Sequence, residues 1–177
     1  IEYMNEMPII QVLIPQIEAD DIISYVTQMQ HYKGWQKIIV SNDRDFMQLC
    51  DDETVLWRPT VNEMLNANRI VETIGVHPRN MALARAMAGD ASDNLPGIKG
   101  AGLKTIQKRL PFLSEDKDYN IPDVLDFCVK STKGSRVQFY NNVIENKKLV
   151  EHNYKMMQLY APQMSVQAKQ FTQEAVE

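Results

Sequence analysis

Short β-branched runs alternate with stretches of helical spacing through the first third of the chain, and this alternation restricts the fold more than any other feature. Residues 9–14, Ile-Ile-Gln-Val-Leu-Ile, read as a strand. Residues 19–32 follow with Ile22, Val26 and Met29 at helical spacing. The pattern repeats in 35–41, where Ile38, Ile39 and Val40 are consecutive, then in a short helix over 45–50 and a strand over 54–58. Strands that alternate with helices predict an α/β fold with a parallel sheet. Two or three strands make a thin sheet for that many helices, and the chain opens on Ile rather than Met, so the expectation is that further core lies upstream.

After Pro59 the character changes. Residues 62–75, 78–89, 103–110 and 122–129 have helical spacing with Gly and Pro at the joins, and 135–160 reads as one longer helix with Val137, Tyr140, Val143 and Ile144 on one face. Beyond Pro162 the sequence is polar and rich in Gln. The expected organisation is therefore an α/β part over 1–60, a helical subdomain over 61–165 and a polar tail over 166–177. With 177 residues, 44% hydrophobic and 24% charged, the composition is that of a globular protein rather than a disordered or fibrous one. No apolar run approaches the roughly 20 residues that cross a bilayer, and no secretory leader is legible, so the expected partners exclude membrane and the expected location is cytoplasmic, the host's if the source is viral. Cys50 and Cys128 have no second Cys or His at ligand spacing and read as reduced, partly buried thiols.

The net charge of −4 argues against binding nucleic acid by charge alone, but the charges are segregated. Residues 97–109 hold Lys99, Lys104, Lys108 and Arg109 with no acid, whereas the acids fall in three tight groups. Glu18, Asp20 and Asp21 stand between the first expected strand and its helix, at the strand end where open α/β sheets bind ligands. Acids there also favour a helix N-terminus, and capping is the alternative for one or two of them; three in four residues exceed that need. Asp43 and Asp45 follow the next strand at the equivalent place, where the alternative is an Asx-rich loop. Five carboxylates at two strand ends stay ionised together only with cations between them, and hard divalent ions such as Mg²⁺ or Mn²⁺ suit oxygen ligands.

The third group, Asp90 and Asp93 in Gly-Asp-Ala-Ser-Asp-Asn, runs directly into Leu-Pro-Gly-Ile-Lys-Gly-Ala-Gly-Leu-Lys-Thr. A Walker loop needs adjacent Gly and Lys, and Leu103 separates Gly102 from Lys104. The better reading is a hairpin between two helices over about 87–110, in which Gly97, Gly100 and Gly102 bring backbone to a DNA phosphate and Lys99, Lys104, Thr105 and Lys108 add charge and a hydroxyl.

Taken in order, Glu-Ala-Asp-Asp-Ile-Ile, Ser-Asn-Asp-Arg-Asp-Phe-Met-Gln-Leu and the long Gly-Asp to Lys-Thr motif resemble the 5′-to-3′ exonuclease and flap endonuclease family over about residues 10–110. The compact length without a polymerase region points to its phage-type members. The resemblance implies a PIN-like nuclease core followed by a helical subdomain with a helix-hairpin-helix, and two divalent ions. Glu18, Asp20, Asp21 and Asp43 would surround the first ion, and Asp45, Asp90 and Asp93 the second. It also implies a helix-hairpin-helix grip on duplex DNA bearing a 5′ flap or nick, or an RNA-DNA hybrid, a possible K⁺ at the hairpin, and weaker phosphate contacts from Arg79 and Arg85. Asn42 and Ala101 depart from the family pattern, which has Gly and a larger apolar residue there. The family's first strand, second acidic motif and helical arch have no counterpart here. The resemblance therefore implies a chain with low activity by itself. Two rival readings follow: a non-catalytic module that binds DNA junctions, and one half of a split nuclease completed by an N-terminal segment, alongside replication proteins as partners.

Overall fold

The computed structural model describes residues 7–134 and 137–177. Three strands form the sheet: β1 (Lys37–Val40), β2 (Thr54–Arg58) and β3 (Glu63–Leu65). β1 and β2 are parallel with Ile39 opposite Leu56, as the alternation predicts. β3 returns antiparallel, Leu56 opposite Leu65, because the short 3-10 turn Pro59–Val61 and Asn62 in the left-handed region reverse the chain within a few residues. The sheet is thus mixed, with β2 in the middle.

Around it lie α1 (Ala19–Thr27), α2 (Ala67–Ile74), α3 (Pro78–Ala88), α4 (Leu103–Arg109), α5 (Ile121–Thr132), α6 (Gln138–Glu145), α7 (Lys147–Met157) and α8 (Val166–Val176). Their starts are written in the sequence. Pro78 opens α3 behind His77, Asn66 Oδ1 accepts from the Arg69 amide 2.8 Å away, and Asn120 and Asp123 form a reciprocal capping box.

α3 is the axis of the molecule. It packs on α7, on α4 and on the 3-10 helix Asp45–Leu49, and all but three of its eleven residues are buried. Full burial of Leu83 and Met87 contributes about 1.5–3 kcal/mol each. One continuous core joins the sheet residues Ile39, Leu56 and Leu65 to Met87, Ile106, Val124 and Val143 of the helices. Two of its buried amides are well paired: Asn80 donates to the carbonyls of Leu113, Glu115 and Lys117 at 3.0–3.3 Å, and Gln48 donates to Met157 O at 2.9 Å.

Five local expectations need correction. The helix expected from residue 62 begins only at Ala67, because Glu63–Leu65 pair with β2 as a strand. Residues 9–14 form no strand: among the described residues no strand lies beside them to complete a ladder, and Val12 and Ile14 instead pack with α1 and α8 while Ile9, Ile10 and Leu13 are exposed. The helix expected over 19–32 stops at Thr27 and gives way to a 3-10 turn, Gln30–Tyr32. The single helix expected over 135–160 is two helices, and Ser135 lies outside the described residues. The break falls at Asn146, whose Nδ2 turns back onto Asn142 O at 2.8 Å and competes with the helical ladder. The tail over 166–177 is mostly helix, started by Ser165, whose Oγ accepts from the Ala168 amide at 3.1 Å; α8 packs Ala168 against Ile22 of α1.

β1 is an edge strand whose outer side carries no neighbour among the described residues. An apolar groove of about 490 Å³ runs along it, lined by Val12, Ile23, Val26, Trp35, Ile38 and Val40. Trp35, Ile38 and Val40 are all exposed there.

Candidate metal centre

The fold carries the three acid groups to one place. Glu18 is the N-cap of α1 but makes no side-chain capping bond, and Asp20 and Asp21 occupy the first turn, so the capping alternative does not account for Glu18. Asp43 lies just beyond the carboxyl end of β1, and Asp45 opens the 3-10 helix that crosses from β1 to β2. The Asp45 amide donates to Asp43 Oδ1 at 2.8 Å and the Asp43 amide to Ser41 Oγ at 3.1 Å, so this turn is built from its own polar side chains. Asn42 is no misfit: its backbone is not left-handed, and its Oδ1 accepts from the Thr60 amide at 3.1 Å. Glu18, Asp20, Asp21, Asp43, Asp45 and Asp93 then line one cleft of about 560 Å³.

Asp90 stands apart from that lining. It pairs with Leu95 through two backbone hydrogen bonds of 2.8 Å, which fold residues 89–98 into a tight loop at the end of α3. Ser92 donates to Asp90 through its amide and its hydroxyl, and these bonds hold the Asp90 carboxyl below the usual carboxylate range. Two glycines make the loop possible. A Cβ on Gly97 would overlap the Ala88 carbonyl, and one on Gly89, which has φ +76, would overlap the Gly97 amide. Gly97 is thus turned against α3, and its lack of a side chain serves packing.

Electrostatics bind the groups together. Burial raises Asp20, and the carboxylates of Asp43, Glu18, Asp21 and Asp93 raise it further, so one acid senses all three segments except Asp90. Asp45 is pushed up to about 6 by burial, against the pull of Arg85 and with the push of Asp43, Asp90 and Asp93. The Arg85 guanidinium lies 2.7 Å from Asp45 Oδ1 and also contacts Asp90 Oδ2. An ion pair that close lowers a carboxyl by itself; here desolvation and three neighbouring acids outweigh it. Such crowding is the condition that a divalent cation relieves, and an all-oxygen donor set fits a hard ion. Among the described residues, however, no three acids converge closely enough to form a finished cation cage.

The raised acids give the metal-free protein a pH signature. A carboxyl raised in the folded state holds a proton that the unfolded chain releases, so stability falls as pH climbs from about 4 to about 6 and is regained on acidification. The Asp45 side chain is 19% exposed, and after partial solvent screening its share is about 1–2 kcal/mol. His77, lowered by burial, works in the opposite sense, so the comparison is with Asp45→Asn. Melting in EDTA at pH 5 and pH 7 is expected to show a gain on acidification that Asp45→Asn loses. Equal profiles for the two proteins contradict the crowding described here.

On the basic side, Lys99, Lys104 and Lys108 are exposed, Thr105 and Arg109 are half-buried, and Gly100 (φ +82) and Gly102 have open space beside their Cα atoms. Ala101 is buried in the core and fills the position without strain. Arg79 is engaged with Asp116 and Asp118 at 2.8 and 3.1 Å, which sets it apart from the loop. Lys155 of α7 lines the acid cleft, a place that its spacing in the sequence does not reveal.

A fold of this kind with an acid-lined cleft at a strand end defines a class, and comparison identifies it. The 5′-3′ exonuclease N-terminal resolvase-like domain matches residues 1–75. The 5′-3′ exonuclease of Buchnera aphidicola subsp. Schizaphis graminum is 33% identical over 140 residues, covering 78% of this chain and 49% of that protein. DNA polymerase I of Deinococcus radiodurans is 41% identical over 96 residues, 54% of this chain and 10% of the polymerase. In structure, phage T5 5′-exonuclease with zinc bound superposes with a TM-score of 0.79 at 19% identity, over 98% of this chain and 64% of that one. A T5 flap endonuclease complex with DNA and metal ions gives 0.79 at 18% identity, over 99% and 64%. By these comparisons the chain is similar to members of the 5′ nuclease family. It spans about half the length of the 5′-3′ exonuclease from Buchnera.

Proposed function

We propose that this chain carries the acid centre and the DNA grip of a divalent-metal-dependent 5′ nuclease that hydrolyses phosphodiesters in flapped or nicked DNA, or in RNA-DNA hybrids, during replication and repair. The observation that carries the proposal is the single cleft lined by acids from three separated segments, one of which continues into the exposed lysines of residues 99–108. Glu18, Asp20, Asp21 and Asp43 would hold one Mg²⁺ or Mn²⁺, and Asp45, Asp90 and Asp93 a second ion. When bound, such ions activate water and stabilise the leaving oxygen of a phosphodiester. The chain's own share is to hold the ligand acids on the end of β1 and the start of α1, and to fix the duplex. The T5 complex that it resembles contains DNA and metal ions, which supports the same class of substrate. A K⁺ ion on the carbonyls of residues 97–105 belongs to the proposal, although the Lys99 carbonyl already accepts from Asn142 at 3.0 Å. The apolar edge at Trp35, Ile38 and Val40 is where a further nuclease segment would extend the sheet.

The test is single-turnover cleavage of a 5′-labelled flap duplex, with enzyme in excess and with Mg²⁺, Mn²⁺ or EDTA. The proposal requires release of the 5′ strand only with metal. The acids' failure to converge in the described residues favours one other reading, a module that binds junctions without cutting them. Tight flap binding with no metal-dependent release would select that reading.

The grip has its own expectation. Lys99→Ala with Lys104→Ala should weaken duplex binding similarly for unrelated sequences, and flatten the dependence of log affinity on log salt by about two phosphate contacts' worth. Fluorescence anisotropy at several salt concentrations checks it. A loss confined to one sequence, or an unchanged slope, contradicts backbone gripping.

A further inference from the structure

Arg85 lies on the face of α3 that meets the 3-10 helix Asp45–Leu49 and the loop after α3, and its guanidinium stands between two of the acids assigned above. The side chains of Arg85, Asp45 and Asp90 are 14%, 19% and 18% exposed, so the three are largely withdrawn from water together. One nitrogen, Nη2, serves both carboxylates. The strongest arginine-carboxylate pairs use the guanidinium as a fork with two parallel bonds, and this one does not. Its Nε is buried without a hydrogen-bond partner, and Asp45 Oδ1 has none either beyond the charge contact. The arrangement offsets one of the two negative charges and leaves hydrogen-bonding capacity unused on both sides. It is a hold that a stronger cation can break.

We propose that Arg85 is a resident cation that keeps Asp45 and Asp90 together in the metal-free protein, in the place that a second divalent ion has to take from it. This rests on the divalent-ion reading above and deepens it: the first ion enters the Asp20 and Asp43 side of the cleft freely, whereas the second competes with a guanidinium. Arg85 is a positioning residue in this scheme, acting through the two acids. Its removal should have opposite effects on two properties. Without metal, Asp45 and Asp90 lose their counter-ion and the fold is weakened. With metal, two ligands are freed and a like charge is gone, so the ion binds more tightly. A residue with a purely structural role would weaken both.

The experiment counts bound Mn²⁺ by loss of the free-ion EPR signal, with melting in EDTA alongside, for wild type, Arg85→Gln and Arg85→Lys. Arg85→Gln should melt lower than wild type in EDTA, yet bind its second Mn²⁺ on the order of tenfold more tightly, the scale of removing one like charge from a partly buried site. Arg85→Lys, which keeps the charge, should stay near wild type in metal affinity. If Arg85→Gln is unfolded in EDTA, Mn²⁺ should restore its cooperative melting; failure to do so while Arg85→Lys folds and binds normally overturns the proposal. So does a second-ion affinity in Arg85→Gln that is unchanged or weaker. A wild type that binds no Mn²⁺ at all overturns the divalent-ion reading itself, and this inference with it.

Discussion

Asp43→Ala is expected to reduce metal-dependent flap cleavage by about a thousandfold or more, equivalent to about 4 kcal/mol of transition-state stabilisation. Asp43 sits at the end of β1, where it raises both Asp20 and Asp45 by repulsion and anchors the Asp45 amide at 2.8 Å. Alanine removes a ligand and releases the turn that carries a second one. Asp43→Asn separates these roles, because its amide oxygen still accepts from Asp45 while the charge is lost. Both variants should cut poorly, with Asn the better ordered. Asp43→Asn should lose no stability in EDTA, since taking one charge from a crowded acid group relieves repulsion, whereas Asp43→Ala also gives up the bond from the Asp45 amide. Single-turnover rates and EDTA melts decide the matter together; cleavage that persists within tenfold of wild type contradicts the assignment.

Asn153→Leu is expected to cost about 2–4 kcal/mol of stability and to impair metal binding at a distance. Asn153 is fully buried on α7, and its Nδ2 donates to Ala86 O of α3 at 3.0 Å and to Pro96 O of the acid loop at 2.9 Å. One amide therefore fastens the helix that bears Arg85 to the loop that bears Asp90 and Asp93. Leucine fills the volume but leaves the Ala86 and Pro96 carbonyls without this donor. Urea unfolding reads the first effect and Mn²⁺ titration of the folded variant the second. A variant destabilised to that degree but unchanged in Mn²⁺ affinity would show that the loop keeps its shape without Asn153.

What the sequence disclosed follows from the range over which each signal acts. The strands over 37–40 and 54–58, the starts of α3 and α5, and the site acids depend on neighbours within a few residues, and Pro78, Pro122 and the Asp-rich turns were readable for that reason. Residues 9–14 have the composition of a strand, but a strand exists only with a partner beside it, and composition carries no record of the partner. Asn146 interrupts a periodicity that runs on through it, because a single side chain turned back on Asn142 O. α8 was hidden by its glutamines, although Ser165, Ala168 and Thr172 gave it a cap and two buried positions one turn apart. In the site, the acids were legible because like charges in tight groups are costly without cations. Arg85 reads from the sequence as a weaker phosphate contact; its place between Asp45 and Asp90 depends on how α3 packs against the 3-10 helix. Lys155, far along the chain on α7, left no local trace.

The most direct measurement is anomalous scattering from crystals soaked in Mn²⁺. A peak in the cleft bounded by Asp20, Asp43 and Asp93, lost in Asp43→Ala, is the predicted result. Manganese bound elsewhere on the protein with this cleft empty, or a peak in the cleft that Asp43→Ala leaves in place, would contradict a metal centre built from the three acid groups.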